Sequence, residues 1–381
     1  MKKLKIGVIG TGGMGSAHCK WCTELEETEL AAVCDIDIDV AKQLGEKYNV
    51  PYYKESSKLI DSGKVDAVIV ATPHYFHPPI GIYAMKKGLH FLSEKPLSVT
   101  VDQVDKMISV ANKTKKVFSV MLQWRTEPTF KKAKEIIEQG KLGKIYRTEM
   151  ILAWFRTQAY YNTAVWRASW KTEGGGVLVN QAPHALDIFT WLCGLPSKVY
   201  AKVFTKRHKI EVEDEVHAIL EYPEGATGYL YASVNESPGT ERIEIVGEKG
   251  KILIEGMSSI KFCSLNSPVQ EFCDTSSDMW GCPTFKWEEI NLEKVPAGHK
   301  EVIKNFARAV LYREKQLTRG QESIDGIELA NALLLSGMKE EEVKLPVNRK
   351  KIVELYKKLV ASSKPRKLVS TKRETDPGHI K

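Results

Sequence analysis

Over the first 122 residues, short apolar runs alternate with stretches whose apolar positions recur every three to four residues. Leu4–Ile9 predicts a strand and residues 15–25 a helix, and 30–34 and 39–48 repeat that pair. Residues 67–71 read Ala67-Val68-Ile69-Val70-Ala71 with no polar break, as expected of a parallel strand covered on both faces. A helix, a strand, a helix and a strand follow at 78–87, 89–92, 101–113 and 117–122. This β–α rhythm predicts a doubly wound parallel sheet.

After Gln123 the rhythm changes. One more helix is expected at 129–139, then a long strand at Ile145–Phe155. Glycines 174–176 open a helix expected to run to residue 191. From Lys198 to about residue 290 come β-type runs, among them 216–222, 228–234, 241–246 and 251–255. Pro223-Glu224-Gly225 and Glu248-Lys249-Gly250 supply turns between them. Closely spaced strands without intervening helices predict an antiparallel sheet. Two late helices are expected, at His299–Tyr312 and 326–341.

Gly10-Thr11-Gly12-Gly13-Met14-Gly15 fits G-x-G-x-x-G where the pattern needs it, between an apolar strand and a helix. Gly10 permits the tight turn, Gly12 lets the backbone approach a pyrophosphate, and Gly15 lets helix and strand pack closely. The free N–H groups of the helix start then face the phosphates. Asp35 ends the second strand, 20 residues after Gly15, with Ile36 beside it. A carboxylate there accepts hydrogen bonds from a ribose 2′-OH and repels a 2′-phosphate, so NAD is expected over NADP. Ala71-Thr72-Pro73-His74-Tyr75-Phe76-His77 ends the most apolar strand, at the edge where this fold binds ligands. His74 and His77 are candidate cofactor contacts there, and His18 in the first helix is expected to pack.

Composition changes this picture little: 43% hydrophobic and 27% charged residues describe a globular chain. Net charge is +8. Half of that excess lies in residues 364–381, where Lys364, Arg366, Lys367, Lys372, Arg373 and Lys381 face Glu374 and Asp376. The rest shows no basic stripe interleaved with aromatics, so no nucleic-acid partner is expected. Nor is a membrane partner: no run approaches the roughly 18 apolar residues of a membrane span. With no visible signal peptide and seven cysteines, the chain reads as cytoplasmic with reduced thiols. Cys19 and Cys22 spell C-x-x-C inside a helical pattern and are expected to pack; no metal site is expected.

Glu94-Lys95-Pro96 ends the strand after Thr72, at the same sheet edge. Together with the glycine turn, Ala71-Thr72-Pro73, the run Gly174 to Asp187 with its Asn180-Gln181-Ala182-Pro183-His184, and the late Asp325-Gly326, Ser336-Gly337 and Val343-Lys344-Leu345-Pro346, it resembles the glucose–fructose oxidoreductase/inositol dehydrogenase (Gfo/Idh/MocA) family over residues 4–346. The resemblance implies an N-terminal Rossmann domain (residues 1–123). It implies a C-terminal α+β domain (124–363) whose open, mainly antiparallel sheet covers the active site and joins a homodimer or homotetramer. Residues 364–381 are expected to form a flexible basic tail.

The resemblance also assigns roles. Lys95 would contact nicotinamide ribose and substrate, and His184 would be the acid–base residue. Many relatives carry Asp four residues before this His; here it is Asn180, which would orient the ring or bind a hydroxyl without raising the imidazole's proton affinity. Hydride abstraction from a carbinol carbon needs a base for the hydroxyl proton, and a histidine with an ordinary pKa of about 6.5 suits it. An ammonium such as Lys95 stabilises the developing alkoxide. Gln123 and Arg125, after the last Rossmann strand, are further candidate cofactor contacts. Trp154, Tyr160, Tyr161 and Trp166 offer aromatic platforms, with Arg156, Trp166 and Arg167 as preferred substrate contacts.

The expected activity is NAD-dependent oxidation, or reduction in reverse, at a secondary hydroxyl of a sugar, anhydrosugar or inositol. The same residues would serve a redox-neutral glycoside-cleaving enzyme that retains NAD and oxidises the sugar transiently. Retention of Lys95 and His184 argues against a non-catalytic NAD-binding regulator.

Overall fold

The computed structural model describes residues 2–364, so the expected tail beyond Lys364 lies outside the described residues. The N-terminal part runs β1 (Leu4–Ile9), α1 (Gly13–Glu24), β2 (Thr28–Cys34), α2 (Ile38–Tyr48), β3 (Tyr52–Tyr53), α3 (Ser56–Ile60), β4 (Ala67–Val70), α4 (His77–Lys86), β5 (His90–Ser93), α5 (Val101–Thr114) and β6 (Phe118–Val120). Among the described residues these six strands form one parallel sheet in the order β3-β2-β1-β4-β5-β6. β4 is buried along its whole length, because helices cover both faces. Strand order reverses between β1 and β4, which opens a crevice beyond the carboxyl ends of those strands.

The second part runs α6 (Pro128–Glu138), β7 (Ile145–Phe155), α7 (Gln158–Asn162), a π-turn (Val177–Gln181), α8 (Pro183–Cys193), β8 (Lys198–Phe204), β9 (Glu215–Glu221), β10 (Thr227–Ser233), β11 (Asn235–Gly247), β12 (Gly250–Glu255), β13 (Ser259–Leu265), α9 (Val269–Thr275), β14 (Phe285–Glu289), α10 (His299–Tyr312), α11 (Ile324–Lys339), β15 (Val343–Lys344) and α12 (Arg349–Ser362). Its sheet has nine strands among the described residues, ordered β14-β13-β12-β11-β7-β10-β9-β8-β15. Pairing is antiparallel except between β7 and β10, where β7 inserts between two strands that follow it in sequence. One face packs on α8 and α11 around Leu186, Phe189, Leu329 and Leu333.

Two expectations need correction. The helix foreseen from 174 to 191 is divided: 174–176 are not helical, a π-turn spans Val177–Gln181, and α8 begins at Pro183. A proline lacks the N–H that would continue the earlier turn, but it suits the first turn of a new helix. Residues 180 and 184 therefore do not share one α-helical face. The second correction concerns α10, placed by sequence with the C-terminal domain. Its Val302, Ile303, Phe306 and Ala307 bury against Leu4, Ile6, Val8 and Ile69 of the parallel sheet.

Candidate active site

The glycine turn is fixed by contacts no side chain could share. Gly10 has φ +86°, and a Cβ there would lie 2.7 Å from the Ala71 backbone. A Cβ on Gly15 would sit 1.8 Å from the Gly10 carbonyl oxygen. Asp35, just after β2, is pinned to the rim of this turn: Thr11 N donates to Oδ2 at 2.8 Å and Asp37 N to Oδ1 at 2.9 Å. Its neighbour Ile36 stands 84% exposed.

β4 and β5 deliver the next groups to the same edge. His74 Nδ1 meets Glu173 O at 2.9 Å, and burial together with nearby His77, Lys95 and Arg167 pushes its imidazole down to about 3, so it is neutral. His77 bridges Pro96 O (2.9 Å) and Thr72 O (2.7 Å), tying the Thr72 turn to the Lys95-Pro96 turn. Both nitrogens are thus used on the protein's own backbone. Glu94 Oε1 meets His18 Nε2 at 2.7 Å and Oε2 accepts Lys95 N at 3.0 Å. Burial alone would raise the Glu94 carboxyl, but the His18 bond and the charges of His299 and Lys95 hold it at about 2. Lys95 itself, before a cis Pro96, reaches across to the second domain, where its Nζ donates to Asn180 O at 3.3 Å. Burial holds this ammonium below its ordinary range; Glu94 opposes the shift and Arg167 adds to it.

The second domain presents the facing wall. Gln123 Nε2 lies 3.2 Å from His184 Nε2, and Trp124 stacks on the His184 ring at 5.4 Å. Asn180 Nδ2 donates to Tyr160 Oη (3.1 Å) and to Glu173 Oε1. Arg167 also donates to Tyr160 Oη, at 2.7 Å, and lies over the Tyr160 and Trp166 rings at 4.4 and 4.6 Å. Arg156 covers the same Tyr160 ring at 5.6 Å.

Two family models cover most of this architecture: residues 4–122 match the oxidoreductase family with an NAD-binding Rossmann fold, and residues 130–253 match the GFO/IDH/MocA C-terminal domain. The chain belongs to the Gfo/Idh/MocA family. It is 27% identical over 349 residues to myo-inositol 2-dehydrogenase of Thermotoga maritima, covering 90% of this chain and 98% of that one. It is 29% identical over 192 residues to a glycosyl hydrolase family 109 protein of Shewanella pealeana, covering 47% of this chain and 42% of that one. The WlbA dehydrogenase of Bordetella pertussis, solved in complex with NADH and UDP-GlcNAcA, superposes with a TM-score of 0.77 at 26% identity, over 91% of this chain and all of that one.

As a Gfo/Idh/MocA oxidoreductase the chain binds NAD, and its own atoms fit that cofactor. A Cβ on Gly12 would meet nothing within 4 Å, so the turn is open on the ligand side. The α1 start has no side-chain cap, leaving amides for a pyrophosphate. Thr72 Oγ1 and Gln123 Oε1 are buried without a partner among the described residues, as a bound polar ligand would require. Gly13 is the first residue of α1, and Met14 packs against the core beneath it.

One candidate is placed differently from expectation. Arg125 was expected at the cofactor, but its guanidinium is buried and bidentate to Asp187, with Nε–Oδ2 2.8 Å and Nη2–Oδ1 2.6 Å. It also donates to Glu322 O at 3.2 Å, so its donors hold α8 and the short turn before α11. Cys19 and Cys22 are buried and free, and burial pushes the Cys19 thiol up to about 12, which suits packing and not redox chemistry. Sequence reasoning missed Tyr160 as the point where Asn180, Arg167 and Arg156 meet, having named it only as a platform. It also missed Glu173, although this carboxylate directly precedes the Gly174 to Asp187 run. Among the described residues no cluster suits a metal ion, and no helix is long and apolar enough to cross a membrane.

Proposed function

We propose that the protein is an NAD-dependent dehydrogenase that oxidises, or in reverse reduces at, a secondary hydroxyl of a sugar, anhydrosugar or inositol. The observation that carries this reading is the reach of Lys95 from the end of β5 to Asn180 O, which sets its ammonium in one crevice with the segment leading to His184. Bound NAD supplies the hydride acceptor. Lys95 lowers the proton affinity of the substrate hydroxyl and shields the developing alkoxide. The ammonium's weakened hold on its own proton makes it a ready relay partner. His184 receives the proton at Nε2, the nitrogen that faces the Gln123 amide. Lys95 and His184 could exchange these roles without altering the balance. Asn180 and Tyr160 orient sugar hydroxyls, and the rings of Trp124 and Trp166 exclude water from the crevice. Asp35 contacts the adenosine ribose, which selects NAD over NADP.

A spectrophotometric screen tests this. Protein with NAD, and in parallel NADP, meets inositols, pyranoses, anhydrosugars, uronic acids and aryl glycosides, with NADH and released aglycone both followed. NADH formation with one class supports the dehydrogenase. Aglycone release without NADH replaces it with the redox-neutral route, and silence in both arms removes this substrate class.

A further inference from the structure

Glu213 and Asp214 sit immediately before β9, outside the motifs that mark the family, and both side chains are buried. They point to opposite partners, and both partners lead to the active site. Glu213 Oε1 accepts Gly176 N and Leu178 N, each at 3.0 Å. Its main-chain oxygen accepts Val177 N at 2.9 Å, so closely that a Cβ on Gly176 would lie 1.8 Å from it. Three successive amides of the segment feeding the π-turn therefore rest on one residue. That segment carries Asn180, and His184 follows at the start of α8.

Asp214 grips the other wall. Its carboxylate accepts Lys206 N (2.8 Å), Arg207 N (3.0 Å), His208 N (3.2 Å) and Asn235 Nδ2 (3.1 Å). His208 Nδ1 meets the same carboxylate at 3.0 Å, while its Nε2 meets Arg156 O at 2.8 Å. The His208 ring is packed edge-on to Tyr161 at 4.8 Å. Arg156 N is fixed from the other side by Val234 O at 3.0 Å, and Val234 N returns to Asp214 O at 3.1 Å. The two arms converge on Tyr160, whose hydroxyl takes Asn180 Nδ2 and whose ring lies under Arg156.

We propose that Glu213-Asp214 is a two-armed positioning element: Glu213 fixes the segment carrying Asn180 and His184, and Asp214, through His208, fixes the Arg156 wall of the substrate site. The kinetic assignment rests on the dehydrogenase reading above. Neither residue touches substrate. The Glu213 arm sets the geometry of proton transfer and acts on kcat. The Asp214 arm sets substrate contact and acts on KM. A carboxyl oxygen accepting two amides can be replaced by an amide oxygen, so glutamine should keep the first arm where leucine cannot.

The test uses the full chain with Glu213→Leu, Glu213→Gln, Asp214→Ala and wild type. Steady-state kinetics are combined with amide hydrogen exchange on peptides covering 174–182 and 204–208. NAD binding by fluorescence serves as the check that each variant is folded. E213L is expected to lower kcat at least about tenfold with KM within threefold, and E213Q to recover most of that loss. D214A is expected to raise KM at least about tenfold with a smaller change in kcat. Exchange should rise at 174–182 only in E213L and at 204–208 only in D214A. Equal losses in kcat and KM for both variants, or exchange rising evenly across the second sheet, would overturn the proposal. If E213L does not fold, Glu213→Asp, one methylene short of its amides, takes its place with the same expected pattern. The exchange readout needs no substrate, so it decides the clamp even where the screen rejects every sugar.

Discussion

At the scale of single residues, this site depends on where burial and charge put protons. Lys95 bonds through Nζ to Asn180 O, on the segment leading to His184. Under the proposed mechanism chemistry should fail without either side chain, and loss of His184 should leave NAD binding intact. Lys95→Met and His184→Ala are each expected to lower kcat by about 10²–10⁴-fold. Cofactor affinity in the His184→Ala variant, read by NADH fluorescence, should stay within threefold of wild type, while Lys95→Met, which also removes a proposed contact to the nicotinamide ribose, should weaken it. Intact turnover in H184A would remove it from the mechanism. Glu213 makes a different prediction. Burial and the neighbouring Glu173 charge push its carboxyl up to about 7 from an ordinary 4.5, against the lowering effect of the amides it accepts. The folded state thus binds this proton more tightly than the unfolded chain does. Its share of stability is complete below about 4.5 and is lost as pH rises through about 7. Thermal midpoints across pH 5–8 should fall more steeply in wild type than in E213Q, and parallel curves would contradict the shift.

At the scale of elements, the glycine turn shows how far local pattern reaches. G-x-G-x-x-G after an apolar strand was enough to place β1, the turn and α1, because each glycine answers a steric demand made within the motif. Gly15→Ala would press a methyl onto the Gly10 carbonyl. It should cost about 1–3 kcal/mol and weaken NAD binding at least tenfold, measured by denaturant unfolding and fluorescence titration. The segment 174–193 shows the converse. Its apolar run suggested one helix, yet the segment forms a π-turn before Pro183, and Glu213, far along the chain, accepts the amides at its start. α12 was overlooked although its signal was present: Asn348 caps Lys350 N and Lys351 N, and Ile352, Leu355, Tyr356 and Leu359 recur at helical spacing. Two-residue strands such as β3 and β15 carry too few positions for any period to register.

For the molecule as a whole, the parts are joined by contacts between distant segments. Arg125 and Asp187 form a buried ion pair between the turn that follows the last parallel strand and α8. Arg125→Met would leave the Asp187 carboxylate buried without its cation. The expected cost is about 3–5 kcal/mol, seen as a lowered thermal midpoint; Arg125→Met with Asp187→Leu should recover much of it. An unchanged midpoint in the single variant would show that the pair does not hold these two segments together. The outer face of the nine-stranded sheet carries Tyr200, Ile219 and Tyr229 in one exposed row across β8, β9 and β10. A homodimer or homotetramer through this face is the expected assembly, and Ile219→Glu should shift the mass by light scattering toward the monomer.

The sequence by itself determined the parallel sheet, the cofactor turn with Asp35, and the candidacy of Lys95 and His184. The sheet and the turn rest on periodicity and on a short motif whose steric and chemical reasons are local, whereas the candidacy of Lys95 and His184 rests on the resemblance of their motifs to the family. Only the tertiary structure decided that Arg125 serves Asp187, that α10 returns to the first sheet, and that Asn180 lies on a π-turn facing Tyr160 and Glu173. Each depends on a buried charge, an amide or an apolar face finding a partner from a distant segment, and the choice of partner leaves no period in the chain.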